Sequence, residues 1–100
     1  LLDYFLINFP DAERIPLVLF WLGEISFIEG DIEDSFRYFL ELVSNYQDHW
    51  RAPQSHKRLG DIYLSKDDID NAKAKYNFVL KNYPNNSVSS IVLQILENME

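Results

Sequence analysis

Apolar side chains recur along this chain at intervals of three and four, the spacing that lines one face of a helix. Leu2, Phe5, Leu6 and Phe9 make a first stripe, which Asn8-Phe9-Pro10-Asp11 closes because Pro10 cannot continue a helix and restricts the residue before it. A second helix is predicted from Ala12 or Glu13, with Asp11 as its cap, Glu13 in its first turn and Pro16 tolerated near its start. From Leu17 to Ile28 it is apolar almost all round, interrupted only by Gly23, Glu24 and Ser26. A helix without a polar face is covered on more than one side. Gly30-Asp31 predicts a tight turn with Asp31 capping a third helix, about Ile32 to Tyr46, that turns Phe36, Phe39, Leu40 and Val43 inward.

The pattern then returns. Phe20-Trp21-Leu22-Gly23-Glu24-Ile25 reappears as Lys57-Arg58-Leu59-Gly60-Asp61-Ile62, which sets a period of 37 residues. His49 to Lys66 is a second, more polar copy of the first helix type. Asp67-Asp68 stands where Gly30-Asp31 stood, and Ile69 to Asn82 follows with Ala72, Tyr76, Val79 and Leu80 inward. Asn82-Tyr83-Pro84-Asn85 closes the unit, and Ser87 to Asn98 starts a further helix whose apolar face covers the end of the stack. The expected organisation is one all-α domain over 1–100, a right-handed superhelical stack of antiparallel helix pairs. Its parts are the end of a truncated repeat (1–10), repeats over 11–47 and 48–84, and a further or capping helix over 85–100. With no initiator Met and no export signature, the chain reads as a piece of a longer polypeptide.

Glycine in a helix interior costs about 1 kcal/mol relative to alanine, so matched glycines at 23 and 60 call for compensation. Close packing supplies it: the small Ser35 and Ala72, one period apart on the following helices, are expected to approach them, with Leu22, Phe27, Phe39 and Leu42 around the first contact and Leu59, Tyr63, Tyr76 and Val79 around the second.

These residues resemble the tetratricopeptide repeat. Leu59-Gly60, Tyr63, Ala72, Tyr76 and Pro84 carry its pattern in the second unit; Leu22-Gly23, Gly30, Ser35 and Phe39 carry it in the first. Ser26, Gln47 and Asp67 depart from it, and the period is longer than usual, the extra residues falling in Asp11 to Pro16 and Asp48 to Pro53. The lengthened lead-in resembles the repeat domains of bacterial envelope proteins, namely the Tol-Pal-associated periplasmic coordinator and outer-membrane assembly lipoproteins. The resemblance implies a protein-interaction scaffold, in the periplasm or cell envelope and otherwise the cytoplasm, serving envelope assembly or cell division. It also implies a concave groove lined by the first helix of each pair, presenting Leu17, Phe20, Trp21, Glu24 and Phe27 from one unit and Gln54, Lys57, Arg58, Asp61 and Leu64 from the next. There Phe20 and Trp21 would anchor a partner peptide or helix and Lys57 or Arg58 would pair a carboxylate. The alternative is that the missing preceding repeat buries those rings, and that the chain is a spacer or homo-oligomerisation unit with no free groove.

Charge narrows the partner class. The net charge is −7, which argues against nucleic acid, because binding a phosphate backbone needs clustered Lys and Arg. Residues 1–50 hold ten acidic against two basic residues, and residues 51–100 hold six against seven; eleven of the 15 aromatics also fall in the first half. An acidic, ring-rich surface for a protein partner is therefore expected there. No apolar run approaches the roughly 20 residues of a membrane span. Without cysteine, disulfides and thiolate metal sites are excluded. His49 and His56 are too far apart in sequence for a paired metal site, and Glu29, Asp31, Glu33 and Asp34 read as caps and solvated charge rather than a calcium loop. Trp50 is either an exposed contact or a ring capping the junction between units. No Ser-His-Asp set or phosphate loop can be assembled, so neither an enzyme nor a cofactor is expected.

Overall fold

A computed structural model describes residues 11–99, and among these it holds five helices and no strand. They are α1 (Asp11–Ile28), α2 (Ile32–Asn45), α3 (Ala52–Ser65), α4 (Ile69–Asn82) and α5 (Ser87–Asn98). The first stripe, Leu2 to Phe9, lies outside the described residues. The chain divides into two compact units, Leu1–Ala52 and Pro53–Glu100.

In the first unit α1 packs on α2. Leu17, Leu19 and Phe20 of α1 and Phe39, Leu42 and Val43 of α2 are buried. The Gly23 backbone is met by Phe39: a Cβ built on that glycine would lie 2.7 Å from the ring's Cζ. Ser35, fully buried, donates its hydroxyl to the Gly23 carbonyl at 2.9 Å. The expected approach of the small residue is thus a hydrogen bond, and the space the glycine leaves is filled by the aromatic ring one turn further along α2.

The second unit repeats the device on α3 and α4. A Cβ on Gly60 would lie 2.6 Å from Cε1 of Tyr76. Ala72, Tyr76 and Val79 of α4 join Val88 and Val92 of α5 in one core cluster, with Tyr63, Leu64, Ile95 and Leu96 packed against it.

The two helix-ending turns share a hydrogen-bond pattern. At the end of α1 the Asp31 amide donates to the Ser26 carbonyl at 2.8 Å and Gly30, with φ of +83°, donates to Phe27 at 3.2 Å. At the end of α3 the Asp68 amide donates to Tyr63 at 2.9 Å and Asp67, with φ of +61°, donates to Leu64 at 3.0 Å. Both are Schellman closures, the second with an aspartate in the left-handed position.

Two sequence expectations shift in detail, and α1 takes in Asp11. Asp31 occupies the N-cap position of α2 without making a side-chain cap bond, whereas Asp68 accepts from the Asn71 amide and Asn86 from the Val88 amide. The Asp31 carboxyl instead shares a hydrogen bond with Asp34, which raises its pKa. The helix expected from His49 begins only at Ala52, because His49 to Arg51 form turns in which the His49 amide donates to Tyr46 and the Ala52 amide to His49.

Candidate functional site

Arg51 organises the polar side of the first unit. Its guanidinium lies 4.4 Å from the Phe20 ring centroid, 4.3 Å from Trp50 and 5.6 Å from Trp21, inside the range for cation–π attraction. Phe20 meets Trp21 edge-on at 5.3 Å and Phe39 edge-on at 5.9 Å, so the rings run from the surface into the core. Burial lowers the Arg51 pKa, and the charge of Glu24 opposes that shift.

The turn that carries Arg51 is tied to α1. The Arg51 amide donates to His49 Nδ1 at 3.0 Å, which leaves the proton of the neutral imidazole on Nε2; that nitrogen donates to Glu13 Oε2 at 2.9 Å. Trp50 Nε1 donates to the same oxygen at 3.1 Å. The Trp50 and His49 bonds hold the Glu13 carboxyl below the usual range. Trp50 stacks on His49 at 5.5 Å yet remains more than half exposed. Glu13, Pro16, Tyr46, Asp48 and His49 line part of a shallow cleft of about 620 Å³.

In the second unit Asp61 is the hub. Its Oδ2 accepts from Lys57 Nζ at 2.7 Å and Arg58 NH1 at 3.1 Å, and its Oδ1 from the Tyr76 hydroxyl at 2.6 Å. Burial, then the Asp61 bond, pushes the Tyr76 phenol far above its ordinary pKa. His56, also buried, lies 4.4 Å from Phe78, and its Nδ1 has no hydrogen-bond partner among the described residues. Burial, with Lys75 adding repulsion, lowers its pKa to about 4.

The residues expected to face a groove are placed unevenly. Leu17 and Phe20 are buried, at 2% and 5% exposure, and serve the core. Trp21, Glu24, Phe27, Gln54, Lys57, Arg58, Asp61 and Leu64 are half-buried. Lys57 and Arg58, read from sequence as partners for an incoming carboxylate, are brought together on the chain's own Asp61. Glu13, His49 and Arg51 were not foreseen as a group. A signal existed: Glu13 and Trp50 are one sequence period apart, and their bond lies within the first unit. Among the described residues no three His, Asp or Glu side chains cluster as a metal site, and no helix is long and apolar enough to cross a membrane.

Residues 58–86 match the family model of the tetratricopeptide repeat, a span that holds Leu59-Gly60, Tyr63, Ala72, Tyr76 and Pro84. No curated protein matches the chain. The all-α helical-repeat fold and this match identify residues 58–86 as a tetratricopeptide repeat. The class of function that such repeats serve is the protein-interaction scaffold, typically without catalysis.

Proposed function

We propose that the chain holds a partner peptide or helix on the first helix of each of its pairs. In the first unit the contact face is Trp21, Glu24 and Phe27, backed by Leu17 and Phe20; in the second it is Gln54, Lys57, Arg58, Asp61 and Leu64. The observation that carries the reading is Trp21: half-buried, braced edge-on by Phe20 and flanked by Arg51, it is a pre-ordered ring with surface still to cover. Such rings lose little rotamer entropy on binding and are frequent hot spots. The repeats run over 11–47 and 48–84 in this reading, between a truncated repeat and a further helix. The acidic first half favours a protein partner over nucleic acid.

The lengthened lead-ins at Asp11 to Pro16 and Asp48 to Pro53 support a setting in the bacterial envelope, in assembly or division machinery; a cytoplasmic home is the other setting. Fractionation of the source cell decides between them. For the binding face, a folded Trp21→Ala, Phe27→Ala variant is expected to lose a partner that the parent captures. Unchanged capture by the variant, with its helical circular dichroism intact, refutes the placement. A second reading, a spacer or homo-oligomerisation unit, draws on the exposed Ile15, Ile25 and Ile28 of α1. Light scattering showing a monomer at high concentration counts against it.

A further inference from the structure

The outer side of α4 presents an aromatic ring between two lysines. Phe78, 39% exposed, has Lys75 about one turn before it and Lys81 about one turn after it on the same side of the helix. The ring is braced from below: it lies 4.4 Å from His56 and 6.3 Å from Tyr83, and those two rings are 6.1 Å apart. A ring fixed in this way loses little freedom when a partner covers it.

The positive charge here has no counterpart. Lys75 is half-buried and Lys81 exposed, and neither forms an ion pair among the described residues. Burial alone lowers the Lys75 pKa, whereas at Arg51 the Glu24 carboxylate opposes the same effect. Lys57 and Arg58, half-buried cations of α3, share Asp61. Asp70, the acidic residue of α4, stands in its first turn, about 12 Å along the axis from Phe78. Beneath Phe78, His56 is 5% exposed, its Nδ1 lacks a partner among the described residues, and the Lys75 charge reaches it. A cation taken partly out of water, beside a buried polar atom left unsatisfied, is stabilised by an incoming anion.

Charge and spacing decide the occupant. Lys75 and Lys81 are about 9 Å apart along the axis, with the apolar ring midway. A free anion would engage one lysine and leave the ring uncovered. A nucleic-acid backbone would find only these two cations here, on a chain of net charge −7. An acidic amphipathic helix offers carboxylates about two turns apart with an apolar side chain between them, which matches all three groups. We infer that the outer face of α4 docks an acidic helical segment of a partner protein, its carboxylates on Lys75 and Lys81 and its apolar residue on Phe78. The inference goes beyond the Trp21 reading and does not depend on it, since it uses the second helix of a pair rather than the first.

The test uses the whole 100-residue chain and a synthetic helical peptide of about 14 residues, with Glu about two turns apart and Leu between, beside the same peptide with Lys for Glu. Calorimetric titration is expected to show the Glu peptide binding at least about tenfold more tightly than the Lys peptide, and weakening in about 0.5 M salt. Lys81→Glu and Phe78→Ala should each weaken the Glu peptide about tenfold. Lys81→Glu changes an exposed residue, so it reports on docking even where Phe78→Ala perturbs folding. The Trp21→Ala, Phe27→Ala variant should bind the Glu peptide as the parent does; loss there moves the peptide to the first-helix face and overturns the inference. Equal affinity for both peptides, or none for either, overturns it as well. Tighter binding of a short single-stranded DNA, lost in Lys81→Glu, would give the face to nucleic acid instead, and self-association abolished by Lys81→Glu would give it to the acidic half of a second copy.

Discussion

Gly23 and Gly60 look interchangeable in the sequence, and their neighbours make them unequal. Each would place a new methyl group under 3 Å from an aromatic ring, Phe39 in one case and Tyr76 in the other. Phe39 has only packing to hold it. Tyr76 is also tethered through its hydroxyl to Asp61 at 2.6 Å, so its ring cannot withdraw without breaking that bond. Alanine gains about 1 kcal/mol of helix propensity at either site, while overpacking costs about 1–3 kcal/mol. Net of that gain, Gly60→Ala is expected to destabilise by up to about 2 kcal/mol, and Gly23→Ala by less, measured as a shift in urea midpoint at constant slope. A larger loss at Gly23 would refute the tethering argument. The paired glycines and the approach of the small Ser35 were legible in the sequence; the Ser35 hydrogen bond was not, and the rings that fill the notches were visible only as neighbours, because which group reaches a gap depends on how two helices cross.

At the scale of elements, apolar periodicity located all five described helices, and their ends were the less legible part. Helix ends depend on which donor or acceptor a cap finds. Asp31 and Asp68 stand in the same place in successive units; Asp68 caps and Asp31 binds Asp34 instead. The start of α3 moved to Ala52 because Glu13, a period earlier, draws His49 and Trp50 into a turn. Asp67 carries the left-handed conformation that Gly30 takes at the first turn. That conformation costs an L-residue about 1–2 kcal/mol, part of which glycine returns as unfolded-chain entropy. Asp67→Gly should raise stability by up to about 1 kcal/mol in denaturant unfolding. A loss would mean that the Asp67 side chain contributes to the closure.

Across the whole molecule, acid should weaken the second unit through His56. Unfolded, this imidazole titrates near 6.5; folded, its pKa is about 4. Between those values the unfolded chain binds more protons, so stability is full above 6.5 and falls as pH drops towards about 4. The shift corresponds to a loss of about 3 kcal/mol at 1.36 kcal/mol per pH unit. Urea unfolding from neutral pH to about 4 should show this slope, and His56→Leu should flatten it. An unchanged slope in that variant would assign the acid sensitivity to carboxylates such as Glu13, whose lowered pKa acts in the same direction. The charge division belongs to this scale too: the acidic half carries the proposed Trp21 face, so raising the salt concentration is expected to weaken its hold on a basic partner.

The sequence by itself determined the helical repeat, its period, the matched glycines and the class of function, because these follow from local spacing and from which side chains are small, apolar or charged. It also placed the acidic surplus in the first half. Only the tertiary structure decided that Phe20 and Leu17 belong to the core, that Lys57 and Arg58 are held by Asp61, and that Arg51 sits among Phe20, Trp21 and Trp50. A half-turn of rotation about a helix axis exchanges buried and exposed positions without changing the spacing, so a pattern shows that a face is apolar and packing decides what covers it.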